Sequence, residues 1–423
     1  MLQPHEKRKT ATKTLSWIYH AKRQLSVGEL VHALAIDCNE AIPTYEDVIS
    51  EKTILDVCAG LVLIDAKNKT TRFVHHTLQE YFEASYQTWF RDEQRYITRA
   101  CLIYLRLMSP ERSLADSLSC YPFLKYAAEY WGAHARDEYH GELDNIALAA
   151  FRDISTLEKI SSLMGNDQTA RRTTRMFPCR NLAVQMSARF GALPVLKMLL
   201  RHQYSSEGTD PSGRTALHWA ARGGFVDVVQ TLLREGAEIS PKTKTGMTPF
   251  HWAAKHGHER VIDELMPRIN PAEATPDGRT ALHWASSQGH ISIAKKLLAS
   301  NRVDCSGKRA VVMYGAKSGQ NAGSPPTVPR ELSGGESSGH EEVTEFLLDS
   351  GANPNLGNEE NQTALHWAAV SGNARIVSLI LSKGAERHIQ DIHGLTPWQF
   401  AVENRADETA INLLVPLSEW KQA

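Results

Sequence analysis

The sequence repeats a short motif at a nearly constant step, and this period constrains the fold more than any other feature. Threonine opens five clear copies, with separations of 33, 32, 83 and 33 residues. They start at Thr215, Thr248, Thr280, Thr363 and Thr396. A glycine nine residues after the opening position recurs and adds two degenerate copies, which open at Leu182 and Arg330. Seven units at a fixed step are typical of a solenoid, in which each unit buries its apolar face against its neighbours.

Each unit predicts two helices and a hairpin. After Thr215, the spacing of Leu217 and Ala220 indicates one helical stripe, and residues 225–239 form a second amphipathic pattern. Gly236 is placed to end that second helix in a left-handed turn. A pair such as Ser-Gly or Asp-Gly just before the next threonine predicts the turn of a hairpin.

The motif from Thr248, "TPFHWAAKHGH", resembles the ankyrin repeat, whose signature is T-P-L-H-x-A at a step of 33 residues. The resemblance implies a stack whose first helices and hairpin tips bind another protein, and it implies no chemistry. The degenerate copies at Leu182 and Thr396 lie at the ends of the array, where capping repeats are expected.

The first part of the chain lacks this period, and its sequence predicts helices followed by a hairpin. The helices are expected at 14–24, 26–36 and 51–58, and the strands at 60–65 and 72–76. Ser26 and Glu29 match a capping box for the second helix, and Thr77 and Glu80 match one for a helix after the hairpin. This order of elements is typical of a winged helix.

The N-terminal residues also resemble the segment that follows the nucleotide-binding module in fungal NACHT-ankyrin proteins. The resemblance rests on "LSWIYHAKRQLSVGELVHALAI", "ILDVCAGLVLID" and "VHHTLQEYF", and on "ITRACLIYLRLM" and "YPFLKYAAEYWGAHAR" for a helical spacer. We therefore expect a mainly α-helical chain in three parts. They are a winged-helix-like domain at 1–90, a helical spacer at 91–177 and an ankyrin array at 178–423.

A NACHT module would need the phosphate-binding motif G-x-x-x-x-G-K-[ST], and this sequence contains none. "SGKR" at 306 and "GAKSG" at 315 have the wrong spacing. We therefore expect no ATP or GTP binding and no cofactor. Two interpretations stay open: a naturally shortened relative, or a gene model that has lost its first half.

Histidine recurs at one position of the unit, as His218, His251, His283 and His366. A metal site is one interpretation. However, equivalent atoms of stacked repeats lie roughly 10 Å apart, far beyond the ~2.1 Å of a zinc bond. We expect each imidazole to bond instead to the threonine and to neighbouring backbone. The sequence thus predicts no metal site.

Two groups of side chains are candidates for partner contact. One tryptophan follows each of these histidines, and the four either form a binding stripe or pack between adjacent helices. They are Trp219, Trp252, Trp284 and Trp367. The hairpin tips differ between units and are expected to be exposed. These tip candidates are Ser212, Arg214, Thr245, Met247, Asp277, Arg279, Glu360, Gln362 and His393.

Composition is that of an ordinary globular chain, with 423 residues and a net charge of -1. This charge gives no reason to expect nucleic acid or an anionic membrane as partner. Without a signal peptide or membrane span, we expect a cytoplasmic location, with the nucleus as alternative. The sequence favours a non-catalytic protein-interaction scaffold that takes no small-molecule substrate. The alternative is a winged-helix DNA-binding regulator, for which the third helix offers only Lys52 against Glu51 and Asp56.

One step of the array is 50 residues long, 17 more than the period, and residues 305–329 interrupt the array there. Either the extra residues are a real insertion, or a misread intron or a frameshift in the gene model has produced them. The glycine, serine and proline content of residues 305–329 predicts a loop. The first helix that follows carries Gly334 and Gly335, which cost roughly 2 kcal/mol in helix propensity. We therefore expect the array to divide there into two blocks, about 181–304 and 340–423.

Overall fold

The structure, a computed structural model, describes residues 4–36, 49–85, 89–90, 93–106, 118, 120–137, 143–152, 157, 160, 163, 180–300, 336–358 and 360–415. The chain forms two compact units, Met1–Pro211 and Ser212–Ala423. Both units are mainly α-helical, as the sequence predicts.

The first unit combines a two-stranded hairpin with nine described helices. These elements are α1 (Pro4–His20), α2 (Val27–Leu34), α3 (Glu51–Val57), β1 (Val62–Ile64), β2 (Thr71–Phe73), α4 (His76–Ala84), α5 (Glu93–Arg106), α6 (Leu124–Asp137), α7 (Asp144–Arg152), α8 (Arg180–Phe190) and α9 (Leu193–Arg201). The strands pair antiparallel, with Val62 opposite Phe73.

The capping box predicted for α2 is present: the Ser26 side chain accepts from the Glu29 backbone, and the Glu29 side chain accepts from the Ser26 backbone. The helix therefore begins where the sequence placed it. A small core of Leu15, Val62 and Phe82 joins α1, the hairpin and α4.

Two N-terminal predictions were wrong in detail. Helix α1 begins at Pro4 rather than at residue 14 and ends at His20. Helix α4 begins at His76, and its N-cap is His75, whose Nδ1 accepts from the Thr77 backbone at 3.3 Å. Thr77 cannot be the N-cap because its backbone is already inside the helix and its hydroxyl is 2.9 Å from the His75 ring.

The rest of this unit is organised around aromatic rings on α1, α5 and α6. Trp17 is fully buried, with its ring centroid 5.2 Å from that of Phe123 and 6.3 Å from that of Tyr126. The Tyr126 hydroxyl accepts from the Lys22 backbone at 3.0 Å and lies 2.9 Å from Nε2 of His134. Residues about 100 positions apart in sequence thus share one core.

The second unit stacks helix pairs, as the repeat predicts, but the second helix expected at 225–239 is shorter and spans Val226–Arg234. Its helices are α10 (Ala216–Gly223), α11 (Val226–Arg234), α12 (Pro249–Lys255), α13 (Glu259–Leu265), α14 (Ala281–Ser287), α15 (Ile291–Ala299), α16 (Glu336–Asp349), α17 (Ala364–Ser371), α18 (Ala374–Ser382), α19 (Pro397–Glu403) and α20 (Glu408–Asn412), with a short 3-10 turn at Met266–Arg268. First helices pack on first helices and second helices on second helices along the stack.

Glycines hold the left-handed positions that the repeat needs. Gly213 before the first helix and Gly236 after the second have φ of 79° and 87°. Asn361 replaces the turn glycine in one unit and adopts φ 56°, a conformation that asparagine tolerates better than most residues. The predicted hairpin turns are therefore present.

Residues 305–329, which interrupt the array, lie outside the described residues, and so does the degenerate first helix with Gly334 and Gly335. The second helix of that unit, α16, contacts both α14 and α15 before it and α18 after it. The division of the array into two blocks that unfold separately stays a prediction. The contacts of α16 with helices on both sides of the interruption would work against it.

Candidate functional site

The repeated threonine and histidine form a pair that fixes the hairpin onto the first helix. In the first pair, the Thr215 backbone N–H donates to Nδ1 of His218 at 3.1 Å, so the imidazole proton lies on Nε2. Nε2 donates to the Met247 carbonyl, 3.0 Å away in the next unit. The ring thus joins its own helix start to the neighbouring hairpin, as the sequence predicted.

The units that open at Thr248 and Thr363 also bond the imidazole at both ring nitrogens. His251 Nε2 lies 3.0 Å from the Glu273 carbonyl, and His366 Nε2 lies 3.1 Å from the Leu395 carbonyl. Their Nδ1 atoms accept from Thr248 and Thr363. Both ring nitrogens are therefore engaged in these units and none is left to ligate a metal ion.

Burial keeps these histidines neutral. It lowers the pKa of His251 and of His366 from their ordinary value. For His283, burial together with the nearby Arg279 guanidinium lowers the pKa to about 4. A neutral imidazole is the form that can accept at Nδ1 and donate at Nε2 together.

A second set of histidines, which the sequence analysis missed, joins neighbouring units at the C-terminal end of the first helix. Nε2 of His258 lies 2.7 Å from the Arg222 carbonyl, and Nε2 of His290 lies 3.2 Å from the Lys255 carbonyl. His340 makes the same bond to the Ser287 carbonyl at 2.9 Å. The signal was the dipeptide Gly-His, which recurs at the glycine that sets the period.

The hairpin tips are exposed at five of the nine predicted positions. These exposed residues are Ser212, Thr245, Asp277, Glu360 and His393. Arg214 and Arg279 are half-buried because their guanidinium groups lie over tryptophan rings. The exposed side chains differ in charge and hydrogen-bonding character from one unit to the next.

Two of the tip predictions were wrong. Met247 is only 7% exposed and Gln362 only 4%. Each directly precedes the threonine of its unit, where the chain turns inward to start the first helix. Gln362 accepts through its side chain from the Asn358 amide at 3.2 Å, and Met247 packs while its carbonyl accepts from His218. Neither side chain faces a partner.

The hairpins are also bonded to one another. The Lys244 backbone donates to the Ser212 carbonyl at 2.9 Å, and the Ile392 backbone donates to the Glu360 carbonyl at 3.0 Å. These bonds set the position of each tip relative to the next one.

The tryptophans that follow the paired histidines lie between neighbouring first helices. Trp219 is 8% exposed, and Trp252, Trp284 and Trp367 are half-buried. The Trp367 ring contacts Phe400 of the last unit at a centroid distance of 5.9 Å. This contact is the packing between units that the sequence analysis offered as one interpretation, and the binding stripe stays a prediction.

Within the described ranges, no three His, Cys, Asp or Glu side chains converge in a way that could hold a metal ion. Among the same residues, no helix combines the length and the apolar composition needed to cross a bilayer.

Comparisons with family models give the domain order that the sequence predicts, a winged helix followed by ankyrin repeats. The ankyrin-repeat family model matches three stretches, 146–243, 239–309 and 336–419, which together cover more than half of the chain. The chain belongs to the ankyrin-repeat family. Residues 1–88 match a second family, described as the winged helix domain of GPI inositol-deacylase. The N-terminal domain is thus a winged helix.

Individual similar proteins share only parts of this chain. A curated relative, the palmitoyltransferase ZDHHC17 of Danio rerio, is 38% identical over 63 residues, which are 15% of this chain and 10% of that protein. Among solved structures, the ankyrin repeat domain of human ASB11 is 22% identical, with a TM-score of 0.43, and covers 55% of this chain and 97% of its own. The ankyrin repeat domain of Bcl-3 is 20% identical, with a TM-score of 0.39 and the same two coverages.

Proposed function

We propose that this protein is a non-catalytic protein-interaction scaffold whose partner contacts the first helices and hairpin tips of the repeats. The observation that carries the proposal is the series of Thr–His pairs. In the units that open at Thr215, Thr248 and Thr363, the pair bonds the hairpin to its helix and to the next unit, which supports a fixed arrangement of the tip residues. Preorganised side chains cost less ordering entropy when a partner binds.

The finer proposal is that the array, taken as 178–423, is the partner-binding part of a fungal NLR-like signalling protein. It is supported by the resemblance of the N-terminal residues to fungal NACHT-ankyrin proteins and by the order of winged helix, helical spacer at 91–177 and repeats. In this proposal the array senses a protein ligand, and the protein acts inside the cell, in the cytoplasm or the nucleus.

The DNA-binding alternative gains nothing from the third helix of the winged helix. The exposed side chains of α3 are Glu51, Lys52, Leu55 and Asp56, which carry two acidic groups and one basic group. A helix that enters a major groove would need the opposite balance. We therefore favour protein as the partner.

The experiment compares capture of partners by the full-length chain and two charge-reversal variants. Arg214→Glu with Arg279→Glu changes two tip positions on the first-helix side. Arg234→Glu changes an exposed arginine at the end of α11, a second helix. We expect the tip variant to lose at least about 1 kcal/mol of affinity, the usual threshold for an interface contact, while Arg234→Glu binds like the unmodified chain.

Circular dichroism and the thermal midpoint establish that each variant is folded before binding is measured. Equal capture by both variants would show that the binding face has been assigned to the wrong side of the repeats.

A further inference from the structure

Cationic side chains and tryptophan rings alternate along the first helices of three consecutive units. The Arg222 guanidinium lies 5.4 Å from the ring centroids of both Trp219 and Trp252. The Lys255 ammonium lies 5.8 Å from the Trp252 centroid and 4.7 Å from that of Trp284. Each cation therefore bridges two units. We call these five residues the basic–aromatic strip.

Two tip arginines continue the strip at its ends. Arg214 lies over the Trp219 ring at 4.3 Å, and Arg279 lies over the Trp284 ring at 5.3 Å. Arg279 also pairs with Asp277 at 2.9 Å. The Asp277 carboxylate therefore lies beside Arg279 at one end of the strip and not between the two central cations.

Among the described residues, neither Arg222 nor Lys255 forms an ion pair with a carboxylate, whereas Lys296 on a second helix contacts both Glu259 and Asp263. Burial and the neighbouring Arg214 lower the pKa of Arg222. Burial, with Arg222 and Arg279, lowers the pKa of Lys255.

Both central cations can be reached from solvent, because Arg222 is exposed and Lys255 is half-buried. A partner that brings carboxylates to them supplies the missing negative charge and accepts hydrogen bonds from their N–H groups.

We infer that the basic–aromatic strip binds an extended acidic segment of the partner protein, with its Asp or Glu carboxylates on Arg222 and Lys255. The inference rests on the proposed scaffold function and specifies the chemistry of the partner. A carboxylate-bearing chain fits better than a single-stranded nucleic acid, because nucleobases bind by stacking on aromatic faces. Here Arg222 and Lys255 already lie over those faces.

The repeat geometry sets the spacing of the acidic residues. Neighbouring packed helices lie roughly 8–10 Å apart, and a chain in the polyproline II conformation advances about 3.1 Å per residue with three residues per turn, so every third side chain lies on the same face. Carboxylates three residues apart therefore reach equivalent positions on successive units. The favoured ligand has Asp or Glu at every third position.

The test uses the full-length chain and fluorescent twelve-residue peptides, with binding followed by anisotropy up to millimolar protein. One peptide has Glu at every third position, a second has the same composition with its Glu residues in one block, and a third has Gln in place of Glu. We expect the first to bind most tightly, the second several-fold more weakly and the third not measurably.

The matched variants separate local from general electrostatics. Arg222→Gln with Lys255→Gln removes two charges from the strip, and Arg234→Gln with Arg260→Gln removes two exposed charges from second helices. The strip variant should weaken binding of the first peptide at least tenfold, and the control should change it less than twofold. The thermal midpoint shows that both variants are folded.

Three results would overturn the inference: no binding of the Glu peptide, equal binding of the Gln peptide, or equal effects of the two double variants. Tighter binding of a single-stranded oligonucleotide than of any peptide would overturn it in favour of nucleic acid. If the peptide result fails while Arg214→Glu with Arg279→Glu still reduces partner capture, the scaffold function stands without an acidic partner.

Discussion

The first compact unit (Met1–Pro211) and the second one (Ser212–Ala423, the repeat unit) are both mainly α-helical but differ in how far apart in sequence their contacting residues lie. In the first unit, Trp17 packs on Phe123 and Tyr126, more than one hundred positions away. In the repeat unit, His218 bonds to Met247, 29 positions away. Damage in the first unit should therefore destabilise all of that unit, whereas damage in the repeats should spread only to neighbours.

The largest expected effect is on the aromatic core of the first unit. Trp17→Ala removes a fully buried indole and should cost about 3–5 kcal/mol, as large-to-small core substitutions do. We expect hydrogen exchange to show lost protection throughout α1, α5 and α6 and unchanged protection in α10 to α15. Tyr81→Ala, at a side chain that is 51% exposed, is the control and should cost about 1 kcal/mol or less. Protection lost only around residue 17 would contradict the comparison.

Acidification should destabilise the repeat unit through its buried neutral histidines. The pKa of His283 is lowered to about 4, while an unfolded histidine titrates near 6.5. Between these values the unfolded chain binds the additional proton, so stability is full above pH 6.5 and falls as the pH drops towards 4. The slope is about 1.4 kcal/mol per pH unit for one such group.

The control for this prediction is supplied by the last unit, which has Gln399 at the position of the histidine and still forms the capping box with Thr396. His283→Gln should therefore keep the hairpin bonded while removing the titrating group. Denaturant unfolding of the repeat unit at pH 7.5 and 4.5 should show a smaller pH-dependent loss in this variant. An unchanged loss would mean that other groups cause it.

A smaller effect tests the contact between neighbouring repeats. Gly257 has φ 77°, and a Cβ there would lie 2.6 Å from the His290 ring, whereas Gly236 has φ 87° and open space around its Cβ position. Both alanine variants incur the left-handed cost of roughly 1–2 kcal/mol. Gly257→Ala should cost about 1–3 kcal/mol more because of the overlap. Equal midpoints in denaturant would show that the His290 ring can move aside.

The smallest effect is expected for ion pairs on the second helices. Lys296 contacts Glu259 and Asp263 across one unit boundary, and all three side chains are substantially exposed. Lys296→Ala should change stability by at most about 1 kcal/mol, and 1 M salt should abolish the difference. A larger loss that persisted in salt would mean that packing of the Lys296 chain, and not its charge, joins the two units.

The period predicted the repeat unit well because its contacts are local. Thr215 and His218 lie three positions apart, so the sequence alone shows that they can bond. The same local reasoning placed the Ser26–Glu29 capping box correctly. It failed at Met247 and Gln362, because their burial depends on how a hairpin turns into its helix and not on their polarity.

The basic–aromatic strip could not be predicted from one unit. Arg222 and Lys255 occupy equivalent positions, but their contacts with Trp252 and Trp284 cross unit boundaries. In the first compact unit the same limit applies more strongly. The bond between the Lys22 backbone and Tyr126 joins segments that no local pattern relates.

The contact between Gly257 and the His290 ring is not symmetric, because the earlier unit supplies the glycine and the later unit supplies the ring. In the unit that opens at Thr248, Gly257 contacts the ring of the following unit. The same unit supplies the His258 ring to the preceding unit, where it lies 2.5 Å from the place of a Cβ on Gly224. A tandem duplication of that unit would reproduce both halves of this contact, so the array could lengthen in its interior without new contacts having to evolve. Nine residues after Thr396 stands Arg405, which keeps a positive φ of 54° but carries a Cβ. The Cβ of Arg405 would overlap a ring placed at that distance. A unit added beyond Thr396 would therefore need a different contact at this position.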